Sequence, residues 1–102
     1  MLRYRVEEMS LGPYFEWARR AADAYAQVPG LIEWRVLKRR TGPIEFTEIF
    51  TWRDRDAFMA ASKDPGFEKT TDTLLEALGQ LVDMDSVEFS YHDVVARAGR
   101  GE

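Results

Sequence analysis

The segment 44–82 constrains the fold of this chain more strongly than any other part of the sequence. It begins with IEFTEIFTW, in which apolar and polar side chains alternate as in a strand with one buried face. After this run, apolar residues recur at helical spacing from Phe67 to Leu78. A helix of this kind can lie back across the apolar face of the strand. The segment therefore predicts a sheet covered by helices on one side.

The rest of the sequence predicts three more strands and one more helix. Alternating runs at 2–7, 31–38 and 86–94 predict the strands, and an amphipathic run from Pro13 to about Val28 predicts the helix. The short turn 39–43 predicts an antiparallel hairpin between the second and third strands. Asp54 and Asp64 are placed to cap a short helix and the long helix that follows it. The order β-α-β-β-α-β predicts an α+β, ferredoxin-like fold, with a four-stranded antiparallel sheet and two helical segments on one face.

Strand periodicity also assigns side chains to the two faces of this sheet. Ile32, Trp34 and Val36 fall in the phase that the helices should cover. The opposite face is expected to be mostly charged, with Leu31, Leu37, Ile49, Arg3, Arg5, Glu33, Arg35, Glu45, Glu88 and His92.

Length and composition predict one globular domain and exclude several kinds of site. With 102 residues and 45% hydrophobic side chains, we expect one domain over 1–95 and a frayed tail over 96–102. The absence of cysteine excludes disulfides and thiolate chemistry, and the single histidine, His92, excludes a multi-histidine metal cage within one chain. The net charge of −4, with both signs interspersed, argues against a nucleic-acid partner. No apolar run approaches the ~20 residues of a membrane span, and MLRYRVEEM does not have the pattern of a signal peptide. We therefore expect a cytoplasmic protein with no membrane partner.

The run TWRDRDAFMAASKDPGF carries a resemblance to a known family. It is similar to the strand-ending Trp, acidic turn, short helix and Asp-Pro helix restart of the dimeric α+β barrel superfamily, in particular its antibiotic-biosynthesis-monooxygenase-like domains. The positions that match are Trp52, Asp54, Phe58, Asp64, Pro65 and Phe67. The resemblance implies a homodimer whose sheets pack face to face, with a pocket in each subunit between sheet and helices. It also implies cofactor-free oxidation of polycyclic phenols or quinols, although other relatives degrade haem, isomerise lactones or only bind ligands. Haem degradation is disfavoured, because Glu7, Thr70 and Thr71 stand near the positions where haem-degrading members carry Asn, Trp and His.

Glu48 is the candidate catalytic residue. It lies in phase with Phe46 and Phe50, so a regular strand places its carboxyl group beneath the helices. Desolvation there would raise its pKa and suit it to act as a general base towards a phenol or enol. We expect Glu48 to open on an aromatic-lined cavity, with a tyrosine hydroxyl or an indole N–H within reach. The alternative is a β-bulge that turns Glu48 outward, or an arginine that neutralises it.

Aromatic side chains are the candidate substrate-binding residues. Six of them are placed to line a flat pocket: Tyr14, Trp17, Trp34, Phe50, Trp52 and Phe58. The alternative is that these residues are ordinary core. His92 has a pKa suited to proton transfer, but its phase predicts a surface or interface position.

Two functions remain open from the sequence. The first is a small cofactor-independent monooxygenase acting on an aromatic or quinone-like compound. The second is a non-catalytic ligand-binding or oligomeric module, which is favoured by Phe50 and Ala61 at two positions where the family often carries Glu and His. An RNA-binding domain of the same topology is excluded because the open face of the third strand presents no aromatic platform: it carries Glu45, Thr47, Ile49 and Thr51.

Overall fold

The computed structural model describes residues 1–96, Ala98 and Gly99. Its sheet has the order β2-β3-β1-β4, and every neighbouring pair of strands is antiparallel. This arrangement confirms the predicted ferredoxin-like α+β fold. Only part of the predicted tail 96–102 lies within the described residues. The elements are β1 (Leu2–Val6), a 3-10 turn (Glu8–Ser10), α1 (Leu11–Tyr25), β2 (Leu31–Lys38), β3 (Glu45–Trp52), α2 (Arg55–Ser62), α3 (Pro65–Gly79) and β4 (Val82–Phe89).

The core lies between the sheet and the helices. In the two central strands Tyr4 stands opposite Phe46, and both side chains are buried. Helix α1 covers them with every third or fourth side chain, as an amphipathic helix does. Trp34 and Phe50, which face each other across β2 and β3, are only partly buried near the sheet edge. The buried apolar side chains of α1 are Tyr14, Trp17, Ala21 and Tyr25.

Strand β2 contains an irregularity that the sequence did not predict. Leu31 pairs with Trp52 and Glu33 pairs with Thr51, so the register shifts by one residue between them. Leu31 therefore packs against the core, whereas Ile32 is 64% exposed. The prediction that Ile32 is covered and Leu31 lies outside was wrong, because a β-bulge exchanges the two faces at that point.

The bounds of the fourth strand were also wrong. Strand β4 covers Val82–Phe89, not 86–94, and its register against β1 shifts between Arg3 and Arg5. Ser86 occupies this irregularity: its hydroxyl accepts a hydrogen bond from Arg5 N at 2.8 Å and donates one to Asp83 O at 2.6 Å. The side-chain alternation of β4 is thereby interrupted in the middle of the strand.

Helix boundaries follow the predicted caps with small differences. Asp54 accepts a hydrogen bond from Ala57 N at 2.7 Å, and Asp64 accepts one from Gly66 N at 2.9 Å, so α2 and α3 start where predicted. Helix α1 begins at Leu11, ahead of Pro13, and ends at Tyr25 rather than near Val28. Gly30 ends the connection to β2 with a φ of +81°, and a Cβ there would lie 2.6 Å from Ala57 Cβ. Only glycine fits this approach between the loop and α2.

Candidate functional site

Glu48 lies on the face of β3 that the helices cover. Its exposure is 1%, and it is the one charged side chain among the buried residues of the described chain. β3 is regular from Glu45 to Thr51 against its neighbours, so the alternation of the strand carries Glu48 inward with Phe46. The indole Nε1 of Trp34 donates a hydrogen bond to Glu48 Oε1 at 3.0 Å. The second carboxyl oxygen, Oε2, has no hydrogen-bond partner.

The environment of Glu48 changes its acidity. Burial raises its pKa from 4.5 to about 7, because the charged form loses hydration. The nearby hydroxyl group of Tyr4 and the hydrogen bond from Trp34 oppose this rise by stabilising the anion. A carboxyl group with this pKa is partly ionised near neutral pH, so it can both take up and return a proton there.

Tyr4 and Tyr14 form a buried pair of hydroxyl groups beside Glu48. Their oxygen atoms are 2.8 Å apart, and neither side chain is exposed. Burial is the main cause that raises the pKa of both phenols, and the charge of Glu48 raises each further. Both tyrosines therefore stay protonated at neutral pH, and they supply O–H groups rather than anions to the surroundings of the carboxylate.

The structure places the six predicted aromatic residues in two separate groups. The ring of Trp17 lies 5.7 Å from that of Tyr14 and 6.3 Å from that of Trp34. Tyr25 joins this group, with its ring 5.4 Å from Trp34 and 5.0 Å from Phe50. Four of the six predicted residues thus surround the side of the core that holds Glu48.

The second group lies where β3 meets α2 and α3. The ring of Trp52 is 5.7 Å from Phe58 and 5.6 Å from Phe67. These three residues pack the start of the helical layer onto the end of the strand. A role for either group in substrate binding stays a prediction.

A cleft of about 450 Å³ opens at the ends of the three helices. We call it the helix-end cleft, and this volume is typical of small-molecule sites, which range over ~300–1,000 Å³. The wall is mostly small and apolar, and its polar groups come from Gln27, Arg53, Asp64 and Thr70. Glu48 does not line this cleft. The lining residues are Ala24, Gln27, Val28, Pro29, Gly30, Arg53, Ala57, Ala60, Ala61, Asp64, Gly66, Phe67 and Thr70.

Sequence reasoning did not select two residues that lie next to the wall of this cleft, Tyr25 and Thr71. Tyr25 follows the lining residue Ala24, and Thr71 follows the lining residue Thr70. Tyr25 is buried, and its pKa is raised mainly by desolvation and also by the charge of Glu48. Thr71 Oγ1 is buried without a hydrogen-bond partner. The sequence did contain a signal for Thr71, because a side chain with a hydroxyl group there interrupts the apolar stripe of α3.

The outer face of the sheet carries charges of both signs, as predicted. Arg3 pairs with Glu88 and lies 4.0 Å from Glu45, and a groove of about 510 Å³ runs over this face. His92 lies beyond the end of β4 with its Nε2 2.7 Å from Ser90 Oγ, and its side chain is exposed. Over residues 1–96, Ala98 and Gly99, no group of three acidic or histidine side chains is arranged to hold a metal ion. In the same part of the chain no helix is long and apolar enough to span a membrane.

Comparisons with known proteins support the fold. No protein-family model matches the sequence, and no curated protein sequence matches it significantly. Among solved structures, SnoaB from Streptomyces nogalater, described as a cofactor-independent oxygenase, is 24% identical, with a TM-score of 0.62 over 94% of this chain and 93% of that one. A protein from Nitrosomonas europaea named "Putative antibiotic biosynthesis monooxygenase" has a TM-score of 0.71 at 12% identity, over 96% of this chain and 89% of that one. A Deinococcus radiodurans protein of the same name has a TM-score of 0.62 at 15% identity, over 96% and 95% of the two chains. The chain therefore shares its fold with a cofactor-independent oxygenase and with proteins named as antibiotic biosynthesis monooxygenases.

Proposed function

We propose that this chain is a small cofactor-independent monooxygenase of the antibiotic-biosynthesis-monooxygenase-like group, acting on a phenolic or quinol-like aromatic compound. The observation that carries the proposal is the buried Glu48, with a pKa raised to about 7 and one oxygen atom free of hydrogen bonds. A buried carboxyl group costs stability, and perturbed acidity of this kind is concentrated at functional sites. The likeness in fold to a cofactor-independent oxygenase supports the choice of reaction.

The reaction begins with transfer of the phenol proton to Glu48. The resulting phenolate gives one electron to O₂, and the superoxide and the aryloxyl radical combine to form a C–O bond on the ring. Glu48 returns its proton to the peroxide. Loss of the ring C–H proton and cleavage of the O–O bond then release water and leave a carbonyl group. The balance is one phenol and one O₂ converted to one quinone and one water, with O₂ as the oxidant and no other electron donor.

The surroundings of Glu48 suit this chemistry in two ways. The aromatic group around it excludes water, which strengthens the electrostatic interactions of the carboxylate and protects the radical pair. Trp34 holds Oε1 at 3.0 Å and so leaves Oε2 as the oxygen that faces a substrate proton. The helix-end cleft is the proposed entrance, because Tyr25 directly follows its lining residue Ala24 and lies near enough to Glu48 for the carboxylate charge to raise its pKa.

Oxygen uptake tests the proposal. The purified protein, treated with EDTA, is mixed with a panel of naphthols, hydroquinones and anthrones while dissolved O₂ is recorded. We expect uptake of one O₂ per quinone formed, and Glu48→Gln should abolish it while circular dichroism remains that of the folded protein. Uptake at the same rate in Glu48→Gln would remove Glu48 as the base.

One observation favours the alternative of a non-catalytic ligand-binding module. Glu48 is fully covered, and it lines neither the helix-end cleft nor the outer groove. In that case compounds of the same panel would bind in the helix-end cleft without oxygen uptake, and replacing Glu48 would leave their affinity unchanged.

A homodimer through the outer face of the sheet is part of the proposal. Helices cover one face of the sheet only, and the other presents Leu37 and Ile49 among charges of both signs. A surface of this kind is self-complementary under two-fold symmetry, since Arg3 of one copy can meet Glu45 or Glu88 of the other. Sedimentation at micromolar concentration should show a dimer that weakens as salt is added. A monomer at low salt would contradict this.

A further inference from the structure

Two buried oxygen atoms of the described residues have no hydrogen-bond partner: Glu48 Oε2 and Thr71 Oγ1. Native proteins leave few such atoms, because an unpaired buried polar group costs free energy. They come from opposite sides of the core, one from β3 and the other from α3. Their common neighbour is Tyr25, at the end of α1.

Tyr25 links the two unpaired atoms. Its ring lies 5.4 Å from Trp34, whose indole holds the other oxygen of Glu48. The pKa of Tyr25 is raised by burial and by the charge of Glu48, and the nearby hydroxyl group of Thr71 opposes that rise. The phenol oxygen of Tyr25 therefore lies close to Thr71 and within the electrostatic reach of Glu48.

Tyr25 and Thr71 stand behind the wall of the helix-end cleft. Ala24 and Thr70 line the cleft, and successive helical residues are turned by about 100° around the axis. Tyr25 and Thr71 consequently present their side chains deeper than the cleft wall, towards the sheet. Their burial agrees with this, since Tyr25 is 3% exposed and Thr71 Oγ1 is inaccessible.

We propose that Glu48 Oε2, Thr71 Oγ1 and the hydroxyl oxygen of Tyr25 together bind one hydroxyl group of a phenolic ligand that enters from the helix-end cleft. The ligand O–H donates to Glu48, and the hydroxyl groups of Thr71 and Tyr25 donate to the ligand oxygen. This arrangement gives each of the two unpaired oxygen atoms a partner. It rests on the proposed function for the role of Glu48 as base, and it adds the two groups that recognise the oxygen.

The proposed contacts also explain how proton loss is made easier. When the ligand proton moves to Glu48, negative charge develops on the ligand oxygen. Two hydroxyl donors already directed at that oxygen stabilise the charge without reorganisation, as in an oxyanion hole. A phenol is thus preferred to an aromatic compound that has no hydroxyl group, because the latter leaves all three protein groups unpaired.

Ligand titrations followed by ¹H–¹⁵N NMR test the inference, with 2-naphthol and naphthalene as probes. The wild-type protein should bind 2-naphthol at least ~10-fold more tightly than naphthalene. Thr71→Val has nearly the same shape and replaces only the hydroxyl group with a methyl group, so the fold should be kept and the preference for naphthol should fall by ~5-fold or more. Tyr25→Phe should act in the same direction. Thr73→Val is the matched control, because Thr73 lies on the exposed side of the same helix and its hydroxyl bonds Lys69 O at 2.9 Å.

The outcomes separate this inference from the proposed function. Equal affinity for the two probes, or an unchanged preference in both Thr71→Val and Tyr25→Phe, would overturn the inference and indicate that the unpaired atoms hold only water. Oxygen uptake that depends on Glu48 would then still stand. Selective naphthol binding that depends on Thr71, without any oxygen uptake, would support the inference and contradict the oxygenase proposal.

Discussion

Replacing Glu48 with glutamine should change how the stability of the protein depends on pH. A carboxyl group whose pKa is about 7 when folded and 4.5 when unfolded favours the folded state only while it is protonated. As pH rises from 4.5 to 7 the unfolded chain releases this proton first, so the free energy of unfolding falls. The full loss is about 3 kcal/mol, since each tenfold change in acidity corresponds to about 1.4 kcal/mol. Between pH 5 and 8 the expected loss is about 2.5 kcal/mol. Glutamine has a similar shape and does not ionise, so the variant should lack this loss.

Urea unfolding at pH 5, 6, 7 and 8 measures this difference directly. Relative to the wild type, Glu48→Gln should gain about 2.5 kcal/mol between pH 5 and 8, with most of the gain between 5 and 7. Glu45→Gln is the control, because Glu45 lies on the outer face of the same strand beside Arg3 and Arg39. That variant keeps Glu48, so its free energy of unfolding should still fall between pH 5 and 8 by the amount attributed to Glu48. Parallel pH profiles for the wild type and Glu48→Gln would refute the conclusion that burial raises this pKa.

Two further substitutions test how the site is built. Trp34→Phe removes the hydrogen bond to Glu48 Oε1 and should lower the free energy of unfolding by ~1–3 kcal/mol, more at pH 8 than at pH 5, as measured by urea unfolding. A loss that does not depend on pH would mean that only packing had changed. Gly30→Ala should cost ~2–4 kcal/mol, because it combines a positive φ with a Cβ placed 2.6 Å from Ala57 Cβ. Gly12→Ala, where a Cβ meets nothing within 4 Å, should be neutral or stabilising in the same urea unfolding assay.

Most of the fold could be predicted because the residues repeat a simple period. In β3 the alternation is unbroken, so the sequence alone places Glu48 on the inner face with Phe46, and the structure confirms that position. Asp54 and Asp64 also predicted where their helices begin, because a carboxylate just before a helical run is typical of a helix N-cap.

The failures come from bulges, which break the period without leaving a distinctive residue. In β2, Ile32 and Glu33 both face outward opposite Thr51, and nothing in LIEWRVLK shows where the extra residue lies. In β4 the irregularity at Ser86 divides the strand into two short runs, so only the second run resembled a strand.

The proposed binding contacts could be predicted only in part, because they depend on distances between elements far apart in the chain. Tyr25 lies near both Thr71 and Glu48, but sequence periodicity assigns it only to the buried face of α1. The sequence predicts an indole N–H as a donor to Glu48 but does not show which tryptophan supplies it. Trp34 is the donor because the register of β2 against β3 places Val36 opposite Glu48, and Trp34 lies two residues before Val36.

The pH dependence of oxygen uptake tests the central claim most directly, namely that Glu48 is the base in the oxidation of a phenol. With a naphthol or anthrone as substrate, kcat/KM should fall about tenfold for each pH unit below about 7, because protonated Glu48 cannot accept the substrate proton. It should level off above that pH, where the carboxylate is ionised and an ordinary phenol is still protonated. A value of kcat/KM that stays constant from pH 5 to 8 would contradict the account.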